Sequence, residues 1–293
     1  MPTCCAIAIG LLAFINEPSA EGAQTITIAA SKDATLIDSS SGAMANGMGN
    51  SIRCGRTGES GGNTRVRAVL HFDVASSVPK QATIVNATLR LRIIQGSGDL
   101  IPVRVHRLLP SWGEGASVAD GGTGVPAEIN DATWWHRFYP DVAWSTPGGD
   151  FDSAVLATQD VGTLPEAVQW TSPQLAENVQ QSVDDPSTNH GWILLGEETN
   201  SYTAKRLASR EYPVAAYHPQ LIVQYTRALH CGGDMVPPHD VVNVSDLLAV
   251  INAWGPCIQP PCAADIAPPG GDGVMNVSDL LAVVNGWGVC TSH

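Results

Sequence analysis

Residues 87–93 read Ala-Thr-Leu-Arg-Leu-Arg-Ile. Apolar and polar residues alternate with a period of two, which buries one side of an extended chain and wets the other. Thr25–Ile28 alternates too, Val66–Val74 (VRAVLHFDV) does so in part, and Pro102–Leu108 (PVRVHRL), Trp192–Leu195 and Leu221–Tyr225 (LIVQY) are further strand candidates. Turn-forming clusters separate these runs at Gly42–Gly62, Gly96–Asp99, Gly113–Pro126 and Pro147–Asp150. Many short strands with long turns predict a mainly β unit over residues 24–228, an antiparallel β-sandwich of jelly-roll type. One helix is expected in it. Ser172-Pro173 can cap and start a helix, and Leu175, Val179 and Val183 follow at four-residue spacing.

The composition agrees with a folded, exported chain. Of 293 residues, 44% are hydrophobic and 15% charged, with 29 Gly, 20 Pro and a net charge of −13. That acidity gives no electrostatic reason to bind nucleic acid or an anionic membrane, and it suits cation binding. Ala6–Ile15 is an apolar run of ten, too short to span a bilayer. Followed by small residues at Ser19, Ala20 and Ala23, it reads as a signal peptide over residues 1–23, although no Lys or Arg precedes it. The alternative is a buried N-terminal strand or helix.

At Cys231 the chemistry changes. From there to His293 the chain has no Lys, Arg or Glu, yet it has six Asp. Residues 243–255 (NVSDLLAVINAWG) return at 276–288 (NVSDLLAVVNGWG), with eleven of thirteen positions identical. In each copy the apolar residues Val244, Leu247, Leu248, Ile251 and Trp254, or Val277, Leu280, Leu281, Val284 and Trp287, recur at three- and four-residue steps. This predicts two amphipathic helices whose apolar stripes pack on each other. Ahead of the second helix, Asp272-Gly273-x-x-Asn276-x-x-Asp279 matches the latter part of an EF-hand loop. Calcium takes six to eight oxygens, and a glycine permits the sharp turn among them. Asp272, Asn276 and Asp279 are the candidate ligands, with the Val274 carbonyl. In the first repeat they are Asp234, Asp240, Asn243 and Asp246.

Residues 231–293 resemble the type I dockerin module, in the variant carried by planctomycete exported proteins. The resemblance implies a small all-α, EF-hand-like unit, a calcium ion in each repeat, and first-ligand status for Asp265. Pro268-Pro269-Gly270 stand as an insertion in that loop, and Ala267 replaces the usual Asn. It also implies that Val244-Ser245 and Val277-Ser278 face a cohesin-like partner. The basic residues common later in such helices are absent, so attachment to another cell-surface protein is an equal alternative. Two antiparallel repeats set the start of one beside the end of the other. That arrangement predicts disulfides Cys231–Cys290 and Cys257–Cys262, with Cys54 a free thiol.

Residues 31–226 resemble the DNRLRE-type domain, classed with carbohydrate-binding module family 96. The carriers are Arg67–Val74, Ala87–Ile93, Ser111–Gly115, Thr133-Trp134, Trp144–Asp150, Ala208-Ser-Arg-Glu211 and Pro219–Tyr225. The resemblance implies a jelly roll that binds polysaccharide. The residues themselves allow this. Trp112, Trp135, Tyr139 and Trp144 crowd the loops between Leu109 and Phe151, and Arg137 and Arg206 could meet an acidic sugar. The competing reading has Trp112, Trp134 and Trp170 plugging the core. Asp150 and Asp152 are candidates for a structural calcium, with Asp33 and Asp38 behind them. For an enzyme, Glu114, Asp131, Glu197, Glu198 and Glu211, or His71, His106 and His136, are the acid–base candidates, but no spacing selects a pair. The expected function is therefore a secreted, non-catalytic polysaccharide binder tethered by a calcium-dependent tail. A lyase or hydrolase, or a structural surface protein, are the alternatives.

Overall fold

A computed structural model describes residues 23–80, 82–227, 232–236, 241–258, 262–268 and 271–289. The expected signal peptide, apart from Ala23, lies outside them. The chain divides into a unit of Gly22–Arg227 and a separate C-terminal unit.

The larger unit is mainly β. Its principal strands are β1 (Gln24–Ile37), β2 (Ser51–Arg56), β3 (Arg65–Phe72), β4 (Ala82–Gly96), β5 (Ile101–Leu108), β6 (Phe151–Val161), β7 (Ala167–Thr171), β8 (Trp192–Leu195), β9 (Lys205–Ala208) and β10 (Gln220–Arg227). Six of them close an antiparallel barrel in the order β1–β10–β4–β9–β2–β3, with β3 returning to β1. Strands β8, β5 and β6 extend it beyond β3, and β7 adds to β4. Closure depends on β1. Its first half pairs with β10, its second half pairs with β3, and the register shifts between Ala30 and Lys32.

The alternation in β4 does what its sequence predicts. Ala87, Leu89, Leu91 and Ile93 enter the main core, where they meet Leu70, Val103, Leu194 and Leu221. Trp170 is fully buried there, and its indole N–H donates to the Val103 carbonyl at 2.8 Å. The predicted helix is α1 (Pro173–Asp184). The Ser172 hydroxyl accepts from the Leu175 amide, and Leu175, Val179 and Val183 are buried.

A second core lies on the other side of the β1–β3–β8 surface. Leu36, Val69 and Ile193 meet Trp112, Trp134 and Trp144 from the 109–150 segment. Residues 33–37 of β1 are therefore buried on both faces, and simple alternation fails there. The guanidinium groups of Arg65 and Arg67 lie 4.9 and 4.7 Å from the Trp134 ring centroid.

In the C-terminal unit, α2 (Val244–Asn252) and α3 (Val277–Asn285) each start at a capping box. Val241–Val242 pairs with Gly288–Val289, and Gly255–Pro256 pairs with Val274–Met275, so each repeat's start lies beside the other's end. The helices pack, but of the expected stripe only Leu247 and Leu280 face inward, joined by Val250 and Val283 in the small core with Val242 and Met275. Val244, Leu248, Ile251 and Trp254, with Val277, Leu281, Val284 and Trp287, stand 47–56% exposed. The reason lies in the capping box. Asp246 and Asp279 are wholly buried, which turns the Asp-containing face inward and carries the flanking apolar residues out.

Candidate functional sites

The structure divides the sequence-predicted sugar contacts. Trp112 and Trp144 are 1% and 5% exposed, and their indole N–H groups donate to the His190 and Thr133 carbonyls. They belong to the second core and offer no ring face to a ligand, which corrects the expectation for these two. Trp135 is exposed and lies against Gly42, a residue at φ +62° where a Cβ would come within 2.1 Å of the indole. Beside it, Arg137 donates to the Ser111 carbonyl, and Tyr139 meets His136 edge-on at 5.3 Å. Arg206 is elsewhere, on β9.

Arg206 belongs to a row the sequence did not reveal. In the register, Arg206 stands directly opposite Arg53 on β2 and opposite Gln95 on β4. Like charges facing each other across strands are unfavourable. Burial, and then the Arg206 charge, lower the Arg53 pKa to about 10. Hydrogen bonds fix both side chains. Arg53 donates to the Gly121 and Asp120 carbonyls at 3.0 and 2.9 Å, and Arg206 donates to Ser51 Oγ and Asn50 Oδ1 at 2.9 and 3.0 Å. Among the described residues neither forms a salt bridge to a carboxylate. The two line a polar cavity of about 250 Å³ with Thr57, Ser60, Gln95 and Ser97. The Asp120 charge partly offsets the lowering of the Arg53 pKa without forming an ion pair, and two unpaired guanidinium groups set among hydroxyls and an amide suit a carboxylate carried on a polyhydroxyl scaffold.

The acid–base candidates hold hydrogen bonds or ion pairs within the β unit. Glu198 takes a two-point contact from Arg67 at 2.7 and 2.9 Å, and Glu114 one from Arg210 at 2.7 and 2.8 Å. Asp131 accepts from the Glu128 and Ser117 amides, and Glu197 closes its own turn by accepting from Thr199 and Asn200. His106 meets the Asp152 carbonyl, His71 the Ser31 hydroxyl and His136 that of Thr133. Asp150 staples the Ser145 and Thr146 amides, Asp152 pairs with Arg107, and Asp38 pairs with Arg65.

In the C-terminal loops the predicted ligands fold the backbone around themselves. Asp265 accepts from the Asp272 and Gly273 amides at 2.9 and 2.7 Å. Gly271, at φ +77°, lies so close to the Asp265 carboxylate that a Cβ would sit 2.6 Å from it. Asp272 accepts from Val274, and Asn276 from Ser278. Asp279 accepts from Ile266, Ala267 and Asn276 at 2.8, 2.9 and 2.8 Å. Desolvation opposes its ionisation, but the Asn276, Ala267 and Ile266 amides together hold its carboxyl below the usual value. Asp246 repeats the arrangement, accepting from Met235, Val236 and Asn243 at 2.6, 2.8 and 2.9 Å. Asp234 is also on this loop, while Asp240 lies outside the described residues. The donor set is oxygen throughout, the chemistry of a hard cation such as calcium. Cys257 and Cys262 form a disulfide with Cα atoms 6.0 Å apart. Cys231 and Cys290 lie outside the described residues, and Cys54 is free and buried.

Among the described residues no helix is long and apolar enough to cross a membrane. No protein-family model matches the chain, and no curated protein does.

Proposed function

We propose that this chain is a secreted, non-catalytic binder of acidic polysaccharide, with a β unit that holds the glycan and a calcium-organised, dockerin-like tail that attaches it to a partner. In this reading the barrel is a jelly-roll sandwich whose long strands, β1 above all, serve both sheets. The observation that carries the proposal is the Arg53–Arg206 pair. It lines a polar cavity whose described lining holds no carboxylate, and neither guanidinium is in a described ion pair, although the Asp120 charge acts on Arg53; a uronate would pair with both cations. Asp, Glu, His and Tyr are absent from that lining, so the cavity itself offers no general acid or base. Trp135, exposed and rigidly backed, is an aromatic face for a second sugar contact.

For the tail, the support is twofold. Repeated Asp-centred loops present oxygens alone, and each helix, with the Trp that follows it, turns four large apolar residues to solvent. A matched pair of apolar stripes suits a protein partner, cohesin-like or of the cell surface.

The test is retention of the full chain on a panel of acidic and neutral polysaccharides, with product analysis. Retention on polyuronates without chain cleavage is the expected result. Released oligosaccharides would establish the lyase or hydrolase alternative. Retention on none of the panel would favour a structural protein.

A further inference from the structure

A group of acidic side chains lies in the β unit, away from the Arg53–Arg206 cavity. Asp33 comes from β1, Glu114 from the segment that covers β1, and Glu211 from the turn after β9. Each offers a carboxylate oxygen, and these atoms lie within 4.8 Å of one another. Two further facts set the group apart from an ordinary acidic patch. Asp33 is wholly buried and its Oδ1 has no hydrogen-bond partner. Glu211 Oε2 is also buried without one. Buried carboxylate oxygens are normally paired, so two orphans in adjacent side chains require a missing partner.

The local cations do not supply it. Arg210 donates to both oxygens of Glu114 and pairs with Glu211 Oε1 at 2.9 Å, while its amide donates to Asp33 Oδ2 at 2.7 Å. Lys32 points at the Trp112 carbonyl at 2.7 Å and lies over the Trp112 ring. Against these two positive charges stand three carboxyl groups, one negative charge in excess when all three are ionised.

We propose that Asp33, Glu114 and Glu211 bind one divalent hard cation, calcium in kind. The donors are all carboxylate oxygens, which favour calcium over metals that seek His or Cys. Calcium ligands lie 2.3–2.6 Å from the ion, so two of them can be as much as about 5 Å apart, and the group fits one coordination sphere. The orphan oxygens then gain their partner. The ion ties the first strand, the covering segment and the end of β9 together, three regions distant in sequence. This site is independent of the polysaccharide proposal and of the C-terminal loops.

The experiment uses the full chain, Asp33→Asn and Glu211→Gln, each stripped with chelator. Calcium is then titrated by calorimetry, and melting of the β unit is followed by near-ultraviolet circular dichroism of its buried tryptophans. The expected result is one bound calcium fewer in each variant, an affinity loss of more than about tenfold at that site, and a calcium-dependent rise in melting temperature present in the parent only. If Asp33→Asn does not fold, Glu211→Gln, whose side chain is 17% exposed, decides alone. The same number of bound calcium ions in parent and variants would overturn the proposal. So would a β unit whose melting ignores calcium while Asp33→Asn raises its calcium-free melting temperature. That second outcome would show a buried proton, not a metal, between Asp33 and Glu211.

Discussion

Replacing Asp279 with Ala tests how the C-terminal unit is organised. The carboxylate is buried and accepts from three backbone amides, those of Ile266, Ala267 and Asn276. A hydrogen bond to a charged group contributes about 1.5–3 kcal/mol, so three together contribute about 4.5–9 kcal/mol. Its place in the first turn of α3 adds about 0.3–1 kcal/mol from the helix dipole. A unit of this size is stable by only about 3–10 kcal/mol, at roughly 0.05–0.15 kcal/mol per residue. Asp279→Ala is therefore expected to unfold the second repeat, and Asp279→Asn, which keeps one acceptor, to weaken it less. The depressed pKa fixes the pH dependence. The part of the contribution that depends on ionisation is present above the ordinary Asp value of 3.8 and is lost as pH falls through the lower folded value. Hydrogen exchange at the three amides is the assay. Unchanged protection of Ile266, Ala267 and Asn276 in Asp279→Ala would falsify the reasoning.

Other consequences can be measured separately. Trp170→Ala should cost about 3–5 kcal/mol in urea unfolding of the β unit, because it empties a fully buried site and frees the Val103 carbonyl; a loss under 1 kcal/mol would contradict its place in the core. Burial pushes the Cys54 thiol up to about 12, from an ordinary 9.0. Cys54 should resist alkylation at pH 9 until the chain is denatured. Relative to Cys54→Ala, the parent should lose stability as pH rises from 9 toward 12, since the unfolded chain ionises first. Arg67→Ala, which strands the partly buried Glu198 and removes a cation from Trp134, should destabilise the β unit by about 3–5 kcal/mol, with Arg67→Lys recovering only part of the melting temperature.

Much of the fold was legible where burial is one-sided. Ala87–Ile93 alternates because β4 has a wet face, and α1 was readable from Ser172-Pro173 and its four-residue spacing. Strand β2 was hidden inside the Gly42–Gly62 run, because its buried positions include Ser51 and Arg53, which look like turn residues. Residues 33–37 were illegible as a strand buried on both sides, since the covering segment that buries their outer face is remote in sequence. The same cause misplaced Trp112 and Trp144, for a tryptophan in a loop looks identical whether the loop hangs in solvent or closes a core. The helical stripe of the repeats was misjudged because the buried capping carboxylates, not the apolar residues, set the inward face. Arg206 is a candidate in the sequence, but its row with Arg53 and Gln95 depends on strand pairing between segments more than one hundred residues apart.

The central claim is that the Arg53–Arg206 cavity takes a sugar carboxylate. Calorimetric titration of the full chain with a uronate oligosaccharide, alongside Arg206→Gln, tests it most directly. Losing one charge-assisted contact of about 1.5–3 kcal/mol should weaken binding by roughly ten- to a hundredfold, with added salt weakening the parent more than the variant. Equal affinity in parent and variant, or a preference for the neutral oligosaccharide, would contradict it.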